Sequence, residues 1–455
     1  MPTGLIALLI IFVVIIGAIA TRRCTEFLFL GAILAVAVMY GLDAPMAFIE
    51  LLEEVVGDPD NVWLWLIFIL FGSFTVLLTK SRGTIGFQKI IQKVCTTDRR
   101  TGLATFLLGV IVFVDDYINI LTVGICMRRL YDERKMPREA LAYVMDSTGA
   151  PVCVLIPLST WAVFYANLFY AEDYVSSQYT SGMSAYISAI PYCFYAFIAL
   201  IFVFLFCMGV MPKLGKMKSA YQRVEETGMV YSEASRKYNM DDEDDAQDGH
   251  LIDFLIPLLA LVIIGSFSGE VLLGVLAALA ACLILYLPRR IMNMEDFFNN
   301  MIDGAATMLP ILFMLVGSFS LATMCSRMGL TEFLIELTTP LLSARLFPLV
   351  SFLLLSVLAF ITGSNWGMSA VVIPIFIPIA QALGANVVLT MAAIISGGVF
   401  GSHACFYTDA TILSSSSAKI ENMEHALSQW PYVLIAAIIS SVLYIIFGLV
   451  MPVAA

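Results

Sequence analysis

Four aspartates lie inside apolar stretches, where an ionised side chain is hard to keep. Asp115 and Asp116 stand together in Phe113-Val114-Asp115-Asp116-Tyr117-Ile118-Asn119. Asp146 opens Asp146-Ser147-Thr148-Gly149-Ala150-Pro151, and Asp409 sits in Tyr407-Thr408-Asp409-Ala410-Thr411. An Asp at the centre of a membrane helix costs about 2.5–3.5 kcal/mol on insertion scales, so four unpaired ones would cost on the order of 10 kcal/mol. No Lys or Arg falls at a comparable depth to pair with them. A bound cation or a proton is the natural compensation. The hydroxyls of Ser147, Thr148 and Thr411, with carbonyls freed by helix breaks, suit Na+, a hard cation that prefers oxygen ligands. Asp146 and Asp409 are therefore the leading sodium ligands and proton carriers. Asp115, Asp116 and Asn119, which shape a turn of their own, are further ion- or proton-binding candidates.

Each candidate also has a plainer structural role. Asp115 or Asp116 can cap a helix by accepting its free N–H groups, and Asp146 before Ser147-Thr148-Gly149 can do the same. His403, in Gly401-Ser402-His403, is a substrate or gate candidate, or else a satisfied structural histidine. Ser364, Asn365 and Trp366, in Gly363-Ser364-Asn365-Trp366-Gly367, can form a substrate gate, or Trp366 can pack as interfacial or core aromatic. Glu421, Glu424 and His425 follow Lys419 and are expected to be solvated at the cytoplasmic edge. No HExxH, Walker loop or GxSxG occurs, so an enzyme is not expected and transport would run on gradients. The nine cysteines lack a CxxC pair or metal-ligand spacing and are expected to be reduced packing thiols.

The elements that position these residues follow from composition. Of 455 residues, 60% are hydrophobic and only 13% charged, with a mean hydropathy of +0.92. A soluble domain carries roughly 25% charged residues, so the chain belongs in lipid. No basic stripe with interleaved aromatics exists, which excludes nucleic acid as a partner. Apolar runs lie near 5–20, 25–42, 62–79, 101–127, 140–169, 186–211, 251–268, 271–288, 305–324, 347–380, 388–418 and 431–451. The first is kept as a span because Arg22-Arg23 follow it and no base precedes it, the wrong order for a signal peptide.

Cytoplasmic loops are enriched in bases, and here that rule creates a conflict. Lys80, Arg82, Lys89, Lys93, Arg99 and Arg100 precede the run 101–127, while Arg128, Arg129, Arg134, Lys135 and Arg138 follow it. A single crossing cannot have both ends inside. Splitting the run at Asp115-Asp116 leaves limbs of about 13 residues, or ~20 Å, too short to span. A re-entrant hairpin over about 101–130 resolves the conflict, followed by a broken helix over about 140–169. A second hairpin over about 347–380 breaks at Gly363-Ser364-Asn365 and opens outward, and a second broken helix follows over about 388–418. On this scheme all 24 bases except Arg327 and Arg345 are cytoplasmic.

The expected architecture is an all-α integral membrane protein with about ten transmembrane helices and two re-entrant hairpins. Residues 1–211 form a first repeat, 212–250 a flexible, solvated cytoplasmic linker ending in the acidic run Asp241–Asp245, and 251–455 a second repeat. Ser81-Arg82-Gly83 and Pro191-Tyr192 answer Ser326-Arg327-Met328 and Pro431-Tyr432. With an odd number of crossings each, the repeats would be inverted, a pattern of secondary transporters with a midplane site.

The same residues carry a resemblance. The stretch from Phe113 through Asn119 to Thr122 and Gly124, and that from Asp146 to Val154, closely resemble the NhaC-type sodium/proton antiporter family of the ion transporter superfamily. The second half agrees at Gly363 to Gly367, Phe400 to His403, and Asp409 to Ser415. The resemblance covers nearly the whole chain. It implies a homodimeric elevator-type antiporter of a prokaryotic cell membrane that exchanges Na+ and H+ without a further cofactor. The hairpins would move against a scaffold of the spans around 1–79 and 251–324. The chain departs from the family at Ser402, often acidic, at Phe406, often proline, and at Ala410, often threonine. Some relatives look like exchangers of small organic anions or amino acids, so that substrate class stays open beside Na+.

Overall fold

A computed structural model describes all residues except 1–2, 22, 84–92, 114, 158, 240–249, 269, 331, 334–342 and 452–455. Among the described residues the chain is helical, with no β-strand. The first helices are α1 (Thr3–Thr21), α2 (Cys24–Tyr40), α3 (Ala44–Gly57) and α4 (Pro59–Lys80). After them come α5 (Asp98–Ile111), α6 (Asp116–Glu133), α7 (Arg138–Thr148), α8 (Ala150–Leu155) and α9 (Thr160–Tyr170). Two short helices, α10 (Asp173–Gln178) and α11 (Gly182–Ala189), lead to α12 (Phe194–Cys207) and α13 (Gly215–Thr227). The second half holds α14 (Leu251–Ser268), α15 (Val271–Tyr286), α16 (Met294–Thr307) and α17 (Leu309–Arg327). It closes with α18 (Phe347–Thr362), α19 (Asn365–Ala382), α20 (Val387–Ala404), α21 (Asp409–Ser417) and α22 (Asn422–Val450).

Among the described residues, six helical stretches are long and apolar enough to cross a membrane, or eight if two bent pairs each count as one span. The bent pairs are Arg138–Leu155 with Thr160–Tyr170, at 45°, and Gly182–Tyr192 with Phe194–Cys207, at 54°. Four more apolar helices have 10–17 residues.

The breaks fall where polar residues interrupt apolar runs, and four of the helices that follow them are capped by a side chain. Asp115 caps α6, Ser159 caps α9, Ser364 caps α19 and Thr408 caps α21, each accepting backbone N–H groups of the first turn. Gly363 ends α18 in the left-handed region at φ +65°, where a side chain is strained. A Cβ there would also meet Ser318 and Tyr407 at 3.0 Å. The run 101–127 thus becomes two helices of 14 and 18 residues, and 347–380 two helices of 16 and 18.

Helix contacts sort into two groups. One contains α1–α4 and α14–α17; the other contains α5–α13 and α18–α22. The main helix packing between them is made by α17 against α18 and α21. Within the first group, α4 and α16 cross at Gly72 and Gly304, where a Cβ on either would lie 2.4 Å from the other's carbonyl oxygen. Small residues permit this backbone approach, the usual basis of helix association in lipid.

The expected flexible linker differs from the structure over much of its length. Helix α13 buries Met217, Ala220 and Val224 and packs on α7 and α22. A 3-10 helix (Glu233–Tyr238) follows, with Ser235 buried. Apolar positions 217, 220 and 224 recur at helical spacing, so the segment can bury a face that its overall charge disguises. The acidic run 241–245 lies outside the described residues.

Candidate functional site

The polar residues of the breaks converge in the second helix group, and there they form two clusters. The first surrounds Asp146, which is 1% exposed on the last turn of α7. Its Oδ2 accepts hydrogen bonds from Gln429 Nε2 at 2.8 Å and Thr411 Oγ1 at 3.4 Å, and lies 2.9 Å from His425 Nε2. The C-terminal end of a helix carries partial negative charge, so an anion at this place is opposed by its own helix. Compensation must come from elsewhere, and α21 and α22 supply it.

The second cluster holds Asp115, Asp116 and Asp409. Both Asp115 oxygens are engaged: Oδ1 accepts from the Tyr117 and Ile118 N–H groups, and Oδ2 from Thr160 Oγ1 at 2.9 Å. Capping, the plainer of its two readings, accounts for this residue. Asp116 is buried and accepts from Trp161 Nε1 at 3.0 Å. Half-buried Asp409 accepts from the Tyr117 hydroxyl and from the Ala410 N–H. These carboxylates sit at the N-terminal ends of α6 and α21, whose partial positive charge favours them. Asp146 is the carboxylate whose own helix works against it.

The remaining predicted residues divide between the clusters and their frame. Asn119 donates through Nδ2 to the carbonyls of Gly109, Val112 and Thr148, pinning the α5–α6 turn to the end of α7. Thr148 turns back to the Val144 carbonyl at 2.8 Å, a helix-end contact. Ser147 Oγ lies 3.0 Å from His403 Nε2, and Tyr195 Oη lies 2.9 Å from His403 Nδ1, so both ring nitrogens have partners. Asn365 Oδ1 accepts from Tyr165 Oη at 3.0 Å and from Ser369 Oγ at 3.2 Å. Ser364 caps α19, and half-buried Trp366 packs on Trp161 and Phe164 with ring centroids 4.9 and 4.5 Å apart. Asp146 and Asp409 thus occupy neighbouring clusters and share no direct hydrogen bond.

Two residues correct the sequence reading. His425, expected to be solvated, is fully buried and faces Asp146, and Gln429 joins it. The reason is that α22 begins at Asn422 and carries the segment into the protein as helix. Asn422, His425 and Gln429 recur at i, i+3 and i+7, one stripe on a helix that is otherwise largely apolar. That stripe is the signal that would have found them. It also supplies the buried partner for Asp146 that a search confined to Lys and Arg overlooked. Among the described residues, no three of His, Cys, Asp or Glu stand close enough to hold a metal ion together. A Na+ ligand set here would draw on hydroxyl, amide or carbonyl oxygens beside one carboxylate.

A folded strap, made of α13 and the 3-10 helix, closes over the start of α7 and the α21–α22 junction. Arg223 forks onto Glu139, at the start of α7, at 2.8 and 2.9 Å. Ser232 and Ser235 donate to Glu424 Oε2 at 2.7 and 2.8 Å. Asn239 donates to the Lys419 carbonyl at 3.0 Å, and buried Arg138 pairs with Asp132.

Breaks with inward carboxylates in an all-helical, lipid-facing chain define a membrane transporter. Residues 172–449 match the Na+/H+ antiporter family, and the chain belongs to that family. It is 27% identical to an uncharacterised protein of Haemophilus influenzae over 476 aligned positions, 95% of this chain and 89% of that one. Shorter matches include a malate-2H(+)/Na(+)-lactate antiporter of Bacillus subtilis, 25% identical over 34% of this chain and 33% of the relative. The arginine/ornithine antiporter ArcD of Halobacterium salinarum is 30% identical over 32% of this chain and 29% of the relative. Among solved structures, MtrF of Neisseria gonorrhoeae, described within a class of antimetabolite efflux pumps, aligns over 90% of this chain and 86% of its own. The TM-score is 0.40 and the identity 14%.

Proposed function

We propose that the protein is a secondary antiporter that exchanges Na+ for H+ across the cytoplasmic membrane of a prokaryotic cell. The observation that carries this reading is Asp146, buried at the C-terminal end of α7 and facing Thr411, His425 and Gln429. A carboxylate placed against its helix dipole is a seat for a positive charge, and unwound helix ends are where transporters hold Na+ or H+. Proton and Na+ compete for one carboxylate, so loading of one releases the other. Asp409 is the second carrier, with Asp116 beside it. Asn119 and the cap at Asp115 hold the inner hairpin; Ser364, Asn365 and Trp366 form the tip of the outer one.

In this reading the halves form an inverted repeat of about ten spans with two hairpins. The group α5–α13 with α18–α22 moves as an elevator against a homodimeric scaffold of α1–α4 and α14–α17. The sparse packing between the two groups supports it. Reconstitution tests the function: an inward Na+ gradient should drive proton efflux from proteoliposomes, with no dependence on organic solutes. Absence of Na+-driven proton movement in active vesicles would sink it.

A second reading, exchange of a small organic anion or amino acid coupled to these ions, is favoured by one structural observation. Asn365 Nδ2, at the hairpin tip, is buried with no hydrogen-bond partner among the described residues, which leaves it able to donate to a carboxylate. Relatives named as lactate and arginine/ornithine antiporters give it weight. Flux that requires lactate or arginine in the same vesicles would select it.

A further inference from the structure

The Asp146 cluster contains an oxygen that its protein neighbours leave unused. Gln429 is fully buried, and both partners of its Nε2, the Asp146 carboxylate and the His403 carbonyl, can only accept. That fixes the orientation of the carboxamide, because the reverse placement would set acceptor against acceptor. Oε1 is then the free end. It has no hydrogen-bond partner among the described residues. A buried unpaired carboxamide oxygen costs on the order of 1–3 kcal/mol, so something that donates or carries positive charge belongs there.

Geometry limits what that is. Amide C=O and C–N bonds of ~1.23 and ~1.33 Å keep the two carboxamide heteroatoms within about 2.3 Å of each other. Gln429 Nε2 stands 2.8 Å from Asp146 Oδ2. Its Oε1 is therefore within about 5 Å of that carboxylate oxygen. Hard cations of calcium's size, which Na+ shares, bind oxygen at ~2.3–2.6 Å, so one such ion can touch both oxygens where the N–H facing Asp146 is the one on the Oε1 side of the carboxamide, which brings the two oxygens to within about 4 Å. Asp146 Oδ2 already receives donors from α21 and α22. Among the described residues, Gln429 Oε1 is an acceptor of this cluster left without a partner.

We infer that Gln429 Oε1 is a ligand of the transported cation and joins it to the Asp146 seat. This rests on the antiport reading and adds to it a selectivity-determining residue outside both hairpins and both broken helices. Gln429 then does two jobs with one carboxamide. Its Nε2 holds the seat to α20 through the His403 carbonyl, and its Oε1 offers the ion a neutral oxygen.

The test separates those jobs in the full-length protein. Gln429→Lys keeps a donor toward Asp146 and His403 but has no acceptor and brings a fixed positive charge. Gln429→Glu keeps an oxygen and loses the donor. Purified protein is heated with NaCl or with choline chloride at equal ionic strength, and Na+-driven proton flux is followed in vesicles. The expected result is that Gln429→Lys unfolds in choline as wild type does but loses the Na+-induced shift. Its half-maximal Na+ concentration should rise by on the order of 30-fold or more, as for loss of a hydrogen bond or ligand to a charged group. Gln429→Glu should keep the Na+ shift. A wild-type Na+ response in Gln429→Lys overturns the inference. So does a Gln429→Glu protein that has lost the response, which decides the case even where the Lys variant does not fold. A wild-type protein with no Na+ response at all overturns the antiport reading, and this inference with it.

Discussion

At the scale of single residues, four buried or half-buried carboxylates have unequal standing, and helix direction decides the order. Asp115 spends both oxygens on a helix start and on Thr160. Asp116 and Asp409 are supported by the N-terminal ends of α6 and α21, whereas Asp146 opposes the end of α7. Asp146→Asn is expected to fold, because the amide matches the protonated acid in shape. It should reduce Na+-driven proton flux on the order of 10–100-fold, as for loss of a charged hydrogen-bonding group. Asp409→Asn should be the milder change, raising the Na+ requirement while leaving some antiport. Flux measured across a pH series for both variants and wild type checks this. Wild-type antiport with an unchanged pH profile in Asp146→Asn would remove that residue and shift the proton site to Asp116 and Asp409. The sequence made this contest visible by placing Asp in apolar runs. It could not rank the contestants, because rank depends on which end of which helix each one meets, and on His425 arriving from a segment 279 positions away.

Among the elements, the α5–α6 turn and the tip of α19 carry the sharpest expectations. The breaks ahead of α6 and α19 fall where Asp115-Asp116 and Gly363-Ser364 interrupt the apolar runs, so these were legible from sequence. Segment 212–239 was not, because charge in the linker hid a three-position apolar stripe and the contacts that seat it lie on distant helices. If 101–130 is re-entrant, cysteines placed at the exposed positions Thr97 and Glu133 should both react with a membrane-impermeant thiol reagent from the cytoplasm only. Reaction from opposite faces would make the run an ordinary span and end the inverted-repeat count. The outer tip depends on a missing side chain. A Cβ at Gly398 of α20 would lie 1.9 Å from Asn365 Oδ1 and 2.4 Å from Tyr165 Oη. Gly398→Ala should therefore push the tip away from α20 at a cost of about 1–3 kcal/mol, the usual range for overpacking. A lowered midpoint of thermal unfolding with weakened transport is expected; unchanged values would mean that the tip is free to move aside.

The whole molecule is two helix groups with a seam, and the seam carries the proposed motion. Strap contacts at Glu139, Lys419 and Glu424 fasten the ends of α7, α21 and α22 to one another, all within one group. Asp146, Thr411 and Gln429 would accordingly travel together, and the ion site would keep its shape while its exposure changes. Across the seam, Trp63 of α4 sits 6.2 Å from the ring of Tyr117, whose hydroxyl donates to Asp409, and Trp63 Nε1 is anchored on its own side by Glu270 at 2.7 Å. The indole thus stays with one group and looks at a phenol that belongs to the other. A lamp thus stands at the seam. With five tryptophans in the chain, the emission change on adding Na+ should be largely lost in Trp63→Phe, while transport persists. If ion binding alters fluorescence equally in both proteins, the indole is not watching the seam; if it does not alter it in either, the seam is still. The colour of the emitted light would then time each stroke of the transporter without any attached dye.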